Sequence, residues 1–423
     1  MPMGGSMRRE IGELVIATSI VQLANGFFGT FVSLRVAIEN FEAAGLVLSA
    51  YFAGFTVGAL RSGKLIERIG HIRAFAAFAG LVAAATAVMP LLIGSLAWMV
   101  LRAIVGFGCA GIFVTTESWL SAKAPPSVRG RVFSIYMVAT FLALAAGQLL
   151  IGQAEIETSA PFSAIVALFA VALVIVSMAR AEPPQAIAAA ALPYGLLSQA
   201  APVAVAGCAL SGLITGTFYA VVPAWMEGEG IARETIALSM LATVLGGLAF
   251  QVPVGQIADR FDRRIVLAVL GLGFALTAVA AALLPHSLEE LLPIAFVLGG
   301  FMSTLYPVCV AHAHDCMPAD RVVAVSSRLI LVSGFGSVLG PLMGASLMAR
   351  FDFNGPLYFM AVAGLLIGFV AVARSRTTAE PPHLQRPFEI LTPQAAPLAH
   401  DPRGASDVHA PDPAAGTVRL ASD

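Results

Sequence analysis

The chain alternates between long apolar runs and short polar turns over most of its length. Each run is close to the roughly 20 residues that an α-helix needs to cross the hydrocarbon layer of a bilayer. The pattern therefore predicts an all-α membrane protein with about twelve transmembrane helices. We predict these helices at 11–37, 44–66, 73–93, 96–121, 130–153, 159–180, 201–226, 232–257, 264–285, 290–313, 322–349 and 355–374.

The composition agrees with this pattern and excludes several other classes of protein. Of the 423 residues, 58% are hydrophobic and only 12% are charged. A soluble chain of this length carries about twice that charged fraction, because its surface must be hydrated. Nucleic-acid binding is not expected, since no basic cluster contains interleaved aromatic residues. ATP-driven pumping by this chain is not expected either, since a phosphate-cradling Gly-Lys-Ser/Thr sequence is absent.

The loop charges predict the orientation in the membrane. One set of alternate loops carries acids such as Glu39, Glu155 and Glu157. The positive-inside rule therefore places the other set, and both chain termini, in the cytoplasm. That other set is rich in basic residues, among them Lys64, Arg68, Arg129, Arg131, Arg260, Arg263 and Arg264.

One short charged stretch occurs twice, 192 positions apart, and each copy separates two apolar runs. We interpret both copies as tight gate-forming turns in which a glycine lets the chain bend as the helix leaves the bilayer. The repetition predicts two six-helix pseudo-repeats. The first copy contains Gly63, Glu67 and Arg68, and the second contains Gly255, Asp259, Arg260 and Arg264.

The organisation predicted along the chain has five parts. The linker is placed where two Pro residues and an Ala-rich stretch follow the sixth apolar run, and the tail where Pro, Ala and Asp replace the apolar period. Parallel repeats place a site at their interface near mid-bilayer. The parts are a cytoplasmic N-terminus 1–10, a six-helix bundle 11–180, a cytoplasmic linker 181–200, a second bundle 201–374 and a disordered cytoplasmic tail 375–423.

The repeated stretch resembles a known loop signature. Its pattern Gly-x-Leu-x-Asp-Arg-x-Gly-x-x-Arg is similar to that of the major facilitator superfamily, between helices 2 and 3 and again between helices 8 and 9. The first copy departs from it at Glu67, where Asp is usual, and the second at Asp262, where Gly is usual. The segments Glu117-Ser-Trp-Leu and Arg129-Gly-Arg-Val resemble a bacterial, drug-efflux-like subgroup of unassigned substrate. The resemblance implies that helices 1, 4, 7 and 10 surround a substrate.

Two ionisable residues in the fourth predicted helix are candidates for the transport site. Arg102 lies within the apolar run, where a charge is costly and usually faces a bundle interior or water. Its spacing to Gly106 and Gly108 resembles a family motif whose Arg is associated with proton coupling; fixation by helix carbonyls is the alternative. Glu117 is a candidate proton carrier, although neighbouring cations favour a gate latch instead. Those cations are Arg61, Lys123, Arg129 and Arg131.

Neutral polar residues inside the apolar runs predict the cavity faces. Gln22 and Asn25 share one side of the first helix by their spacing. Hydrogen bonding between helices is the competing explanation for such residues. The remaining candidates are Gln148, Tyr219, Gln251 and Tyr306. No cofactor or metal is expected, because His312 and His314 point to different sides of a helix.

These observations favour a secondary active transporter that moves a small organic solute by alternating access. The resemblance implies proton-coupled efflux across the bacterial cytoplasmic (inner) membrane, with the chain acting as a monomer in the lipid bilayer. Uptake or exchange of a small organic anion, drawn by Arg102, is the alternative, since the first and seventh helices carry no mid-membrane acid. A non-transporting receptor or scaffold that docks through 375–423 is the alternative from another class. An enzyme is not expected, since no nucleophile–base constellation appears.

Overall fold

The computed structural model of the chain describes residues 5–39, 43–179, 194–318, 321–351 and 354–377, and these are almost entirely helical. Short 3₁₀ turns at Met89–Leu91 and Leu150–Gln153 extend the third and fifth helices. The helices are α1 Gly5–Ile38, α2 Ala44–Ile69, α3 His71–Val88, α4 Ser95–Lys123, α5 Pro126–Leu149, α6 Ala160–Ser177, α7 Tyr194–Ala200, α8 Pro202–Gly228, α9 Arg233–Ala258, α10 Arg263–Leu283, α11 Leu288–Asp315, α12 Val322–Phe351 and α13 Gly355–Thr377.

Twelve of these helices are long and apolar enough to cross a membrane, which confirms the predicted fold class. They are α1–α6 and α8–α13, six in each half, while α7 is a short helix ahead of the second half. Large apolar side chains such as Leu96, Leu276 and Phe369 are exposed on the outside of the bundle. In lipid this exposure carries no hydrophobic penalty, and the helices satisfy their backbone groups internally.

The predicted domain limits remain predictions. The linker predicted at 181–200 lies outside the described residues up to 193, and its last residues form α7. The tail predicted at 375–423 lies outside the described residues from 378 onward.

The two repeated turns are tighter than predicted. Gly63 and Gly255 were expected to bend the chain, but both lie inside helices, α2 and α9. The first bend is instead at Gly70, whose φ of 81° is one that L side chains rarely adopt. The second is formed at Asp262, whose carboxylate accepts a hydrogen bond from the Arg264 amide at 2.8 Å and so caps α10. The substitution of Asp262 for the usual Gly therefore gives the second turn a different backbone.

We call the side of the bundle on which α1 and α8 end the far side, and the side on which α1 begins and α13 ends the terminal side. The two halves contact each other near the far side. The Ser33 hydroxyl of α1 donates to the Ala220 carbonyl of α8 at 2.6 Å and accepts from the Ala224 amide at 3.2 Å. It thus takes the place of one helical hydrogen bond beside Pro223, which lies inside α8. This contact anchors the first half to the second.

Candidate functional site

A cavity of about 170 Å³ lies between the two halves and takes its walls from both. α1, α2, α4 and α5 contribute one side, and α8, α11 and α12 contribute the other. Seven of the eight predicted site residues line this one cavity, which they reach from five different helices. They are Gln22, Asn25, Arg102, Glu117, Gln148, Tyr219 and Tyr306.

Arg102 lies two turns into α4 and is only 5% exposed. The guanidinium carbon lies 4.7 Å from the centroid of the Tyr51 ring and 5.4 Å from that of the Phe28 ring. Aromatic faces attract a cation and partly offset the cost of its burial. The Nε of Arg102 is buried and has no hydrogen-bond partner among the described residues. The side chain therefore borders the cavity rather than being fixed by helix carbonyls through this atom.

Glu117 lies near the other end of α4 and is 3% exposed. Its Oε1 accepts a hydrogen bond from the Tyr136 hydroxyl of α5 at 3.4 Å. Lys123, one of the cations expected to pair with it, forms an ion pair with Glu10 at 3.3 Å. Among the described residues that line the cavity, Glu117 is the one acid and Arg102 is the one cation. The two charges stand about 22 Å apart along the helix axis, at about 1.5 Å per residue.

Amide side chains on the α1 and α5 walls are held in place by neighbours. Asn25 Nδ2 donates to Gln22 Oε1 at 3.3 Å, one turn away on α1. Gln148 Oε1 accepts from the Thr30 hydroxyl at 2.7 Å, which joins α5 to α1. Fixed amides present defined donors and acceptors to a ligand, which is how polar groups orient a solute in a mainly apolar pocket.

Gln251 stands apart from the other predicted site residues. It is buried between α9 and α11, and its Nε2 donates to the Ser303 carbonyl at 3.1 Å. It does not line the cavity, although Ser303 does. The spacing of polar residues along an apolar run does not reveal which helix face meets the cavity.

Of the aromatic rings that line the cavity, only Tyr219 and Tyr306 were predicted from the sequence. Rings from both halves surround the polar groups, so that the cavity wall is largely apolar. Aromatic residues in membrane helices are equally typical of lipid-facing surfaces, so their positions carried no distinguishing signal. The rings belong to Phe28, Tyr51, Phe52, Phe55, Phe113, Tyr136, Phe141, Tyr219 and Tyr306.

The predicted gate residues lie at the terminal side, away from the cavity lining. Glu67 and Arg68 are exposed near the end of α2, and Gly63 faces open space. In the second copy Asp259 lies 3.5 Å from Arg263. Arg264 Nη2 lies 2.8 Å from Asp262 Oδ2. Arg260, like Gly255, lies in or beside the last turn of α9.

Arg263 was counted among the charges of the basic loops, but it is the first residue of α10 and is not exposed. Its side chain is fully buried, and its Nε lies 2.7 Å from Asp315 Oδ2 at the end of α11. The pair joins α10 to α11 within the second half. Asp315 therefore has a structural role that the sequence pattern did not reveal.

The His-rich end of α11 gives no sign of a metal site within the described part of the chain, where no group of three or more ligating side chains occurs. His314 Nε2 lies 2.9 Å from the hydroxyl of Ser326. His312 Nε2 lies 3.9 Å from Cys316 Sγ. The contact between His314 and Ser326 holds the end of α11 against α12.

The family assignment follows from the sequence itself. A sequence profile described as Major Facilitator Superfamily matches residues 14–229 and 203–407. The chain belongs to the major facilitator superfamily. A relative from Escherichia fergusonii, described as an uncharacterized MFS-type transporter YcaD, is 30% identical over 377 residues, which cover 88% of this chain and 98% of the relative. A YcaD protein from Escherichia coli O7:K1 is 31% identical over 361 residues, which cover 84% and 93%.

Solved structures share the fold. A bacterial homolog of the human lysosomal transporter Spinster, inward-facing and occupied, aligns with a TM-score of 0.71 at 15% identity and covers 89% of this chain and 98% of that one. The nucleoside transporter NupG gives 0.69 at 12% identity, with 87% and 99% covered. The D-xylose-proton symporter gives 0.64 at 17% identity, with 88% and 98% covered. Its family and its twelve candidate membrane spans make the chain a multi-pass transporter and not an enzyme.

Proposed function

We propose that this transporter exports a small organic solute across the bacterial cytoplasmic membrane in exchange for protons, with Glu117 as the proton carrier. Both termini then lie in the cytoplasm, and a single chain is the working unit. The halves rock about the central cavity and expose it to each side in turn.

The observation that carries the proposal is the position of Glu117. It is the one acid among the described cavity-lining residues, it is buried, and its hydrogen-bond partner Tyr136 lines the same cavity. An ionised carboxylate is costly where water is excluded, so closure of the cavity around Glu117 requires a proton or a compensating partner. A proton taken up on one side and released on the other couples the conformational cycle to the proton gradient.

The cavity suits a small solute with a mainly apolar body. Its aromatic wall can bury such a body, while the Gln22–Asn25 and Thr30–Gln148 pairs offer orienting hydrogen bonds. Because the walls come from both halves, a bound solute bridges them, and rocking of the halves transfers it from one side to the other.

The proposal is tested in vesicles that contain purified protein and an internal pH-sensitive dye. A panel of small organic solutes is added with and without an imposed pH gradient. A transported solute should move protons in the opposite direction, and Glu117→Gln should abolish this proton movement while leaving solute exchange at equal pH. Glu289→Gln, which changes an exposed acid on α11, should behave like the unaltered protein. Normal gradient-driven proton exchange in Glu117→Gln would contradict the assigned role.

A further inference from the structure

We propose that the transported solute carries one negative charge, on a carboxylate or similar planar oxyanion, and that Arg102 binds this group. The inference rests on the proposed transport function and names the class of solute. The resemblance to the family implies a part for Arg102 in proton coupling, whereas the geometry assigns it to the solute.

Arg102 lacks a nearby counter-charge among the described residues. Arg102 is buried in α4, and within the described part of the chain no carboxylate lies in ion-pair distance of it. Glu117 stands about 22 Å away along the same helix, too far to neutralise it. A buried cation without a counter-charge is costly, and binding of an anion would remove that cost. The site is therefore selective for solutes that bring a negative charge.

The Arg102 guanidinium also lacks hydrogen-bond acceptors among the described residues. Arg102 Nε is buried without an acceptor, and no hydrogen bond from the side chain to any described residue occurs. A guanidinium has five N–H donors in a planar fork that matches two oxygens of a carboxylate. The ring faces of Phe28 and Tyr51 attract the charge, and no hydrogen bond from Arg102 to the Tyr51 hydroxyl occurs. An oxyanion in the cavity would supply both the hydrogen-bond acceptors and the counter-charge for Arg102.

The aromatic lining of the cavity indicates what the rest of the solute is like. Beyond Phe28 and Tyr51, the same cavity is lined by Phe52, Phe55 and Phe113. These rings provide apolar and aromatic faces for an organic body, and the cavity volume of about 170 Å³ limits its size. Glu117 at the other end disfavours a second negative group there. The geometry thus points to small aromatic or apolar monoanions.

The test compares solutes that share a shape and differ in charge. Benzoate, benzamide and benzylamine form one series, and phenylacetate, phenylacetamide and phenethylamine form another. The unfolding temperature of purified protein in detergent is measured against concentration. At least one carboxylate should raise it saturably, by on the order of 2 °C or more, while its amide and amine do not. Equal stabilisation by amide or amine, or no response to either carboxylate, would overturn the proposal.

Variants of Arg102 and Arg350 show where the carboxylate binds. Arg102→Gln should lose the carboxylate response, and Arg350→Gln, an exposed arginine on α12, should keep it. Arg102→Met is a second variant, and it should unfold at the same or a higher temperature without ligand, because it removes an uncompensated buried charge. A carboxylate response that persists in either Arg102 variant would assign the binding to another place.

The outcome is separable from that of the proposed function. Proton exchange driven by an amine or a neutral solute, with no carboxylate response, would keep the proposed function and reject the anionic class. Carboxylate binding at Arg102 without any proton movement would keep the anionic class and reject proton exchange.

Discussion

Arg102 and Arg263 are both buried arginines, but their surroundings differ in a way that separates structure from function. Arg263 lies 2.7 Å from Asp315, so its charge is balanced within the protein. Arg102 contacts two aromatic rings, and its charge lies at the cavity wall with no carboxylate beside it among the described residues. A balanced pair fixes two helices together, whereas an unbalanced cation remains available to a ligand.

The balanced pair makes a prediction about stability. Asp315→Asn should destabilise the protein by roughly 3 kcal/mol, because it removes the buried counter-charge of Arg263 and leaves the more distant, partly exposed Asp259 at 3.5 Å. The double variant Arg263→Met with Asp315→Leu should recover much of this loss, since neither charge then remains buried. The measurement is the unfolding temperature in detergent, with Glu289→Gln as the control. A single variant as stable as the unaltered protein would show that the pair is not required.

At the scale of single residues, the sequence identified the charged residues of the cavity but not the ion pair between two helices. Arg102 and Glu117 stood out because ions are rare within apolar runs, and both line the cavity. Arg263 did not stand out, since it falls in a charged turn where exposure is the usual expectation. Its partner Asp315 belongs to another helix, and sequence spacing gives no information on contacts between helices.

Among the elements, α2 and α4 determine the surroundings of Arg102. A Cβ at Gly106 would overlap the Tyr51 carbonyl, and one at Gly54 would overlap the Ala103 carbonyl. Glycines at such positions let two helix backbones approach closely. The close approach brings the Tyr51 ring of α2 over the Arg102 guanidinium of α4. Packing between these two helices therefore shapes the proposed anion site.

This packing predicts the effect of added volume at Gly106. Gly106→Val should push α2 away from α4, lower the unfolding temperature and reduce solute flux on the order of tenfold or more, because the Tyr51 ring leaves Arg102. Gly80→Val is the matched control, since a Cβ at Gly80 on α3 meets open space. Equal flux in the two variants would mean that the close contact has no part in the site.

The extents of the helices could be predicted closely because the bilayer sets them. The second helix was predicted at 44–66 and is Ala44–Ile69, and the seventh was predicted at 201–226 and is Pro202–Gly228. The bends expected at Gly63 and Gly255 do not occur, because both glycines lie within helices. A helix in lipid gains little by ending at a glycine, since its backbone groups must be satisfied internally. Gly70 could serve as a helix end because it lies at the charged turn.

For the whole molecule, the orientation in the membrane can be tested directly. Thr158 is exposed on the far side between α5 and α6, and Ser127 is exposed on the terminal side at the start of α5. In a variant with Cys316→Ser, Thr158→Cys should react with an impermeant maleimide from outside intact cells. Ser127→Cys should react only after the membrane is permeabilised, because the positive-inside rule places the basic loops in the cytoplasm. The reverse labelling would invert the topology.

An ion pair on the far side joins the two halves of the transporter. Arg233 at the start of α9 lies 2.7 Å from Glu157, which precedes α6, and 3.3 Å from Glu227 at the end of α8. The hydrogen bond from Arg233 lowers the pKa of Glu157 from its ordinary value. Pairing is therefore complete above that ordinary value and is lost only as the pH falls through the lowered one. The pair remains ionised at neutral pH and responds to conformation rather than to physiological acidity.

This pair should favour the state in which the far side is closed. Arg233→Glu places two like charges across the halves and should open that side more often. The measure is the rate at which an impermeant maleimide reaches Gly29→Cys, a cavity position with space for a side chain, from outside cells. An increase of about fivefold is expected, since a partly exposed pair contributes at most about 1 kcal/mol.

The charge-swapped variant distinguishes the pair from general packing. Arg233→Glu combined with Glu157→Arg restores an attraction across the halves and should return the labelling rate toward that of the unaltered protein. The return should be partial, because Glu227 then faces a like charge. Glu155→Gln, in the same loop and exposed, is the control. If labelling of the swapped variant is as fast as that of the single variant, the far side is closed by contacts such as the one between Ser33 of α1 and Ala220 of α8. The ion pair would then form and break with the movement of the halves without favouring either state.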